Sequence, residues 1–180
     1  QKNLNRKDLN KKQRNHYLLY LAAYYSNISF CYEQVRNPKS LSYLNKSIAL
    51  YEKANATEEV YSSIVSKGIL LSRRKQYKEA IDCYFKALRF FEKDENKHLD
   101  GISYVYSNLA SIYEEQSQNK ITIKYLEKSL AYLNKKNTKP TLEDDLQKFI
   151  INYNIGSVYI HEKQYQLATT YLNDALILSK

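Results

Sequence analysis

The chain has 180 residues, a net charge of +9, three Gly, two Pro, 19 Tyr and no Met or Trp. So few Gly and Pro exclude a sheet protein with many tight turns, and no run of ~18 apolar residues is present to span a membrane. Leu, Ala, Lys, Glu and Gln are common and favour helix, so we expect a nearly all-helical chain.

The first two predicted helices form a pair. Apolar residues recur every three to four positions from His16 onward, which predicts an amphipathic helix. Asn37-Pro38 ends it, because proline disfavours helix at the residue before it. After the second helix, residues 55–57 supply a turn and an N-cap for the third, whose first turn carries Glu58 and Glu59.

The later helices follow the same pattern. The basic run 73–75 ends the third helix, and the polar segment 93–97 after the fourth is predicted to be a loop. A longer polar connection, residues 134–140, separates the third pair from the fourth. Thr141 with Asp144 resembles a capping box at the start of the seventh helix. The chain is therefore predicted to contain eight helices in four hairpins.

An internal repeat supports this organisation. One set of spacings, 3, 6, 3, 4 and 3 residues, joins Gly156, Tyr159, Tyr165, Ala168, Leu172 and Ala175 and recurs three times earlier in the chain. In all four copies the two positions of the second helix are small: Ser40 and Ser47, Ala80 and Ala87, Thr122 and Ser129, Ala168 and Ala175. Small residues let two helices approach closely where they cross, so we expect these eight to be buried.

This pattern resembles the tetratricopeptide repeat family, whose signature is W-x2-L-G-x2-Y, then A-x3-F, then P. The fourth copy matches best, through Ile155, Gly156, Tyr159, Ala168 and Leu172. The leading Trp is replaced by Tyr24, Ile64, Tyr106 and Asn152 in the four copies, and the closing Pro is absent from the two copies that have Glu92 and Lys180 at its position.

The resemblance implies an all-α, right-handed superhelix of about four helical hairpins, at approximately 14–55, 56–95, 98–136 and 141–180. Residues 1–13 would be a basic N-terminal segment or the end of a preceding helix. The repeats are 40, 42 and 46 residues apart, and such long repeats resemble the arrays of bacterial signalling and transcription-regulatory proteins. The chain begins at Gln1 and contains no Met, so we expect it to be part of a larger protein.

By the same resemblance, certain first-helix positions face a concave groove that binds peptides. The groove residues we predict are Tyr25, Ser29, Ser66, Ile69, Tyr104, Asn108, Ser111, Tyr153, Asn154 and Ser157. This lining has no Lys or Arg, so the clamp by which some family members hold a terminal carboxylate is missing. Asn108 and Asn154 share one repeat position, where they either pin a peptide backbone or hydrogen-bond within the hairpin.

The sequence carries no catalytic pattern. His16, His98 and His161 lie in different repeats without metal-ligand spacing, and three isolated Gly cannot form a phosphate-binding loop. The chain is therefore predicted to be a non-catalytic scaffold for a protein or peptide, with no cofactor and no bound metal.

Two other functions stay open. The last helix ends in apolar residues, so Tyr171, Leu176 and Leu178 are a candidate face for dimerisation in a purely structural assembly module. Residues 1–14 carry six cations and one acid, which suits nucleic-acid binding, although no nucleic-acid-binding motif accompanies them.

The two cysteines, Cys31 and Cys83, are predicted to be buried free thiols. Free thiols favour a reducing compartment such as the cytoplasm. An exported protein stays open if a signal segment has been removed, and no membrane contact is expected of this segment.

Overall fold

The computed structural model describes residues 10–136 and 139–179, which contain helices and turns and no strand. The described residues form eight α-helices: α1 (Lys11–Gln34), α2 (Lys39–Lys53), α3 (Thr57–Arg73), α4 (Tyr77–Phe91), α5 (Leu99–Glu115), α6 (Asn119–Asn134), α7 (Leu142–His161) and α8 (Tyr165–Leu178). The prediction of an all-α fold made of about four helical hairpins is confirmed.

The chain divides into two compact units, Gln1–Cys83 and Tyr84–Lys180, with the boundary inside α4. Unit 1 contains α1, α2, α3 and the beginning of α4. Unit 2 contains the rest of α4 and the helices α5 to α8. In unit 2, apolar side chains of α5, α6 and α7 form one core with contributions from α8. Its buried members are Ala110, Ile123, Leu126, Leu133, Ile151, Ile155 and Val158, with Tyr125, Leu130, Tyr159 and Tyr171 packed against them.

One turn geometry joins the two helices of every pair. A residue with φ between 52° and 60° follows the first helix in each case: Arg36, Lys75, Ser117 and Lys163. The next residue donates its backbone N–H to the carbonyl five positions earlier, as Gln118 does to Tyr113 and Gln164 to Tyr159 at 2.9 Å. This is the Schellman pattern, which satisfies the last carbonyls of the first helix. Glycine is common at the left-handed position of this pattern, but none of the four residues here is glycine.

The helix starts were predicted with mixed success. The predicted capping box is confirmed, since the Thr141 hydroxyl accepts from the Asp144 N–H while the Asp144 carboxylate accepts from the Thr141 N–H. The expected start of α1 at His16 is wrong. The helix begins at Lys11, with Asn10 and Gln13 forming another capping box. Of the predicted basic N-terminal segment, residues 1–9 lie outside the described residues.

Three other expectations are corrected. The segment predicted as a loop contains two short 3-10 turns within Glu92–Lys97, separated by a kink at Asp94, where φ is −138° and ψ is 72°. The N-cap of α3 is Ala56, whose side chain makes no capping hydrogen bond, while Asn55 adopts a φ of 55°. Cys31 is exposed rather than buried, and Cys83 is half-buried.

The eight small residues of the second helices are all buried, as predicted. Two serines among them also connect the helices. The Ser47 hydroxyl donates to the Ala22 carbonyl at 2.8 Å, and Ser129, at the equivalent position, donates to the Ser103 carbonyl at 2.8 Å. A buried hydrogen bond of this kind contributes about 1 kcal/mol. The small residues therefore permit close packing, and the serines add directional bonds to it.

The closest approach in the fourth hairpin occurs at Gly156 of α7. A Cβ atom built there would lie 2.7 Å from Cγ of Leu172 and 3.3 Å from the carbonyl oxygen of Ala168. Contacts this short are repulsive, so only glycine lets α7 and α8 pack at this distance. At Gly101 in α5 the nearest atoms to such a Cβ belong to Phe91 at 3.5 Å, which is an ordinary contact.

We predict that Gly156→Ala destabilises the chain and that Gly101→Ala does not. Overpacking at residue 156 should cost about 1–3 kcal/mol, of which the better helix propensity of Ala offsets about 1 kcal/mol. At residue 101 the propensity gain stands alone, and we expect up to ~1 kcal/mol of added stability. Urea denaturation of both variants measures this. A Gly156→Ala variant as stable as the parent would contradict the close approach.

The connection between α6 and α7 is held by ion pairs. The Lys136 ammonium lies 2.5 Å from Oδ1 of Asp144 and 2.9 Å from Oδ1 of Asp100. Hydrogen bonds from Lys136, and then from the backbone and hydroxyl of Thr141, hold the pKa of Asp144 well below its ordinary value. Because the folded-state pKa is depressed, this carboxylate stabilises the fold above the unfolded-state pKa, and the stabilisation is lost as pH falls towards the folded-state pKa.

We therefore expect Asp144→Asn to lower the melting temperature at pH 7 and to reduce the further loss of stability below the ordinary carboxyl pKa of 3.8. Asp145→Asn is the matched control, since it removes the same charge from the same helix turn without breaking the capping box. Thermal melts between about pH 2 and pH 7 measure the difference. Equal acid sensitivity of the two variants would show that Asp144 does not carry this effect.

Candidate protein-binding surfaces

The predicted groove residues of unit 2 lie on the first helices of its two complete hairpins. Tyr104, Asn108 and Ser111 are spaced four and three residues apart and so share one face of α5. On α7, Asn154 and Ser157 lie at the positions that correspond to Asn108 and Ser111, and Tyr153 lies one residue before Asn154. We call these two sets the α5 face and the α7 face. All six side chains are exposed or half-buried.

The two tyrosines of these faces differ from most others in the chain. Tyr104 is 53% exposed and Tyr153 is 54% exposed. Tyrosines that pack between helices instead stack on each other, as Tyr106 does on Tyr125 at 5.9 Å and Tyr159 does on Tyr171 at 5.7 Å. Among the described residues Tyr104 has no aromatic neighbour, and Tyr153 contacts only Phe149 of its own helix, at 6.4 Å.

The two asparagines have different environments despite their shared repeat position. Nδ2 of Asn108 donates to the carbonyl of Tyr104 at 2.7 Å, one turn earlier in the same helix. This leaves Oδ1 of Asn108 as an acceptor. The side chain of Asn154 makes no hydrogen bond to another described residue and keeps both functions for a partner. The sequence left two roles for these residues, binding a peptide backbone or hydrogen bonding within the hairpin. Asn108 has the second role in part.

The predicted groove residues of unit 1 are less available. Ser29 is 3% exposed, and its hydroxyl donates to the Ser40 carbonyl at 2.8 Å, so it connects α1 to α2. The Tyr25 ring stacks on Tyr43 at 5.8 Å, and the Lys46 ammonium lies 5.6 Å from its centroid. Ile69 is half-buried. Ser29 is therefore left out of the candidate surface.

Ser66 lies in a cleft of about 390 Å³ that the sequence identified only in part. The cleft is lined by serines and acids of α1, α2 and α3: Ser26, Tyr51, Glu58, Glu59, Ser62, Ser63 and Ser66. Burial, and then the charge of Glu59, raise the pKa of Tyr51. Helical spacing could have placed one of these acids in the cleft. Residue 59 precedes Ser62 and Ser63 by three and four positions, so it shares their side of α3.

The proposed oligomer face is only partly exposed. Leu176 is 56% exposed, its neighbour Ile177 is 68% exposed, and Leu178 is half-buried. Tyr171 is engaged within unit 2, since its hydroxyl donates to Glu127 at 3.0 Å. Burial and the hydrogen bond to Glu127 raise the pKa of Tyr171 to about 12. At the C-terminal end of α8 the exposed apolar side chains are therefore Leu176 and Ile177, and Tyr171 is not one of them.

The geometry of the described residues also bears on metal binding and on membrane insertion. The described residues contain no group of three His, Cys, Asp or Glu side chains placed to hold a metal ion. None of the described helices is both long enough and apolar enough to cross a membrane.

Comparison with known proteins supports the repeat assignment. The family model for the tetratricopeptide repeat matches residues 150–179, which cover the second half of α7 and all of α8. This is the hairpin in which the motif is most complete, and the predicted family resemblance is confirmed there. No curated protein has a matching sequence.

Solved structures extend the likeness to the whole chain. The crystal structure of BtubC (BKLC) from P. vanneervenii is similar with a TM-score of 0.74 and 18% identity, over 96% of this chain and 66% of BtubC. This chain thus spans just under two thirds of BtubC. The TPR-like repeats of a putative kinesin light chain from Podosopora anserina are similar with a TM-score of 0.64 and 16% identity, over 88% of this chain and 74% of that one.

At these identities the likeness shows the fold alone. Stacked helical-hairpin repeats are scaffolds whose exposed faces serve protein–protein contacts. This chain has that fold.

Proposed function

We propose that this chain, which carries a tetratricopeptide repeat and has the fold of such arrays, is a non-catalytic scaffold that binds an extended peptide or protein segment. The binding residues are those of the α5 face and the α7 face. Tyr104 and Tyr153 supply apolar contact area, and Asn108 and Asn154 hydrogen-bond the backbone of the segment.

The observation that carries this proposal is the exposure of both tyrosines by more than half. Large aromatic residues dominate the binding energy of protein interfaces, because they bury much area while losing little conformational entropy. Packing within unit 2 does not explain their exposure, because the tyrosines of this unit that do pack are stacked on other tyrosine rings.

The charge of these faces indicates the kind of segment. None of the six residues is Lys or Arg, so a terminal carboxylate or a phosphate group has no cation to pair with there. An uncharged, extended backbone with apolar side chains fits amide and phenol groups better.

We expect Tyr104→Ala with Tyr153→Ala to weaken peptide binding by ~30-fold or more, which corresponds to about 2 kcal/mol for the loss of aromatic anchors. Peptides selected from a display library against the full chain, and measured by calorimetry, provide the assay. Tyr165→Ala is the matched control, because Tyr165 is equally exposed in the same unit but belongs to neither face. Equal weakening by the control, or failure to select any peptide, would contradict the proposal.

A second candidate is an assembly module that dimerises without a peptide. The exposed Leu176 and Ile177 on α8 favour it, because adjacent apolar side chains on an outer helix are typical of an interface.

If α8 is a dimer interface, Leu176→Lys with Ile177→Lys converts a dimer to a monomer, since a charge buried in an apolar interface costs several kcal/mol. Sedimentation velocity over a range of concentrations measures this. Leu167→Lys is the control, because Leu167 is exposed in the first turn of the same helix, nine positions before Leu176. A monomeric parent chain rules out the assembly module and leaves the peptide scaffold.

We further propose that the scaffold is the sensory or interaction segment of a bacterial signalling or transcription-regulatory protein. The support is the long repeat spacing and the composition, rich in Lys, Asn and Tyr and poor in Gly. The full-length gene product tests it, because an adjoining DNA-binding or kinase domain would be present.

A further inference from the structure

Another cleft lies at the end of the hairpin α1–α2 that is opposite its turn. It is a cleft of about 880 Å³ between the start of α1 and the end of α2, which we call the basic cleft. Its lining residues are Lys11, Lys12, Arg14, Asn15 and Leu18 from α1, with Leu50, Lys53, Ala54 and Asn55 from α2 and the turn after it. None of these residues belongs to the α5 face or the α7 face.

The rim of the basic cleft is cationic. Lys11, Lys12, Arg14 and Lys53 line it, and no acidic residue does so among the described residues. None of the four forms an ion pair with another described residue, whereas Arg73 and Arg74 in the same unit face Glu33 at 3.9 and 3.7 Å. Four cations around one concave surface concentrate positive potential there and attract an anionic ligand.

The floor of the basic cleft is apolar. Leu18 and Leu50 are half-buried and Ala54 is buried beneath them. A ligand that fills the cleft must therefore satisfy an apolar floor as well as a cationic rim. The volume lies within the roughly 300–1,000 Å³ of sites that enclose a drug-sized ligand.

We propose that the basic cleft binds an acidic segment of a partner protein, in which Asp and Glu side chains flank a large apolar residue. The carboxylates pair with the four cations of the rim, and the apolar side chain lies on Leu18 and Leu50. This goes beyond the proposed peptide binding by α5 and α7, because the partner chemistry and the residues are different.

A nucleic acid fits the cleft less well. Single-stranded nucleic acids bind through cations along the backbone together with aromatic rings that stack on the bases, and no aromatic residue lines the basic cleft. A phosphate backbone also gains nothing from the aliphatic floor. The neighbouring segment 1–9 has three cations and one acid in its sequence, so by charge it does not complement the rim.

The test uses the full chain and fluorescently labelled probes of about ten residues, a length suited to a cleft of this class. The first probe has Asp and Glu on both sides of two Leu. In the second probe Ser replaces the two Leu, and the third probe is a single-stranded DNA of matched charge. Fluorescence anisotropy at two salt concentrations gives the affinity of each probe and its salt dependence.

We expect the first probe to bind at least fivefold more tightly than the second. Lys11→Glu with Lys53→Glu should weaken the first probe by at least tenfold. The matched control is Lys78→Glu with Lys120→Glu, which changes the net charge equally at exposed positions near the starts of α4 and α6. The control should weaken binding by less than threefold.

The contrary outcomes are distinct. Equal weakening by the two charge reversals means that only net charge attracts the probe. Equal binding of the first and second probes means that Leu18 and Leu50 take no part. Tighter binding of the DNA, lost with Lys11→Glu and Lys53→Glu, means that the ligand is a nucleic acid. Each of these results, or the absence of binding, overturns the proposal, whereas Tyr104→Ala with Tyr153→Ala leaves this binding unchanged.

Discussion

The rest of the structure depends on how closely the two helices of each hairpin approach. That distance is set by small residues at the positions where the helices cross. Eight Ala, Ser and Thr residues of the second helices are buried, and at Gly156 an added Cβ would meet Leu172 at 2.7 Å. Because packing is dense where helices cross, bulky residues beside these positions fill the space around them and form the core.

This constraint divides each helix into a face that packs and a face that does not. The hairpin turn reinforces the division, since the same left-handed residue and the same N–H to carbonyl bond recur after α1, α3, α5 and α7. The side chains outside the packed face do not take part in packing between the helices. Tyr104 and Tyr153 are in that set, as are the cations of the basic cleft. Their chemistry contributes little to the fold, which is why we propose them as binding residues.

Much of the fold could be predicted because its signals are local. Helix order, the eight buried small residues and the Thr141–Asp144 capping box depend on residues a few positions apart. The start of α1 was misplaced because the Asn10–Gln13 capping box precedes the apolar pattern and is surrounded by Lys. The sequence predicts a loop at residues 93–97 because these residues are polar and turns of 3-10 helix are too short to show periodicity.

By itself, the sequence determined the repeat, the helix pairs and the faces that pack, because spacing along a helix decides which residues share a face. The tertiary structure decided what each residue meets. Tyr25 stacks on Tyr43 whereas Tyr104 is exposed, and Ser29 is buried whereas Ser66 lines a cleft. It also brought Lys53 beside Lys11 across 42 positions of sequence. Oδ1 of Asn152 is buried and accepts no hydrogen bond from any described residue, which the sequence alone does not reveal. Periodicity shows which residues share a face of a helix, but only the packing of the helices decides what that face contacts.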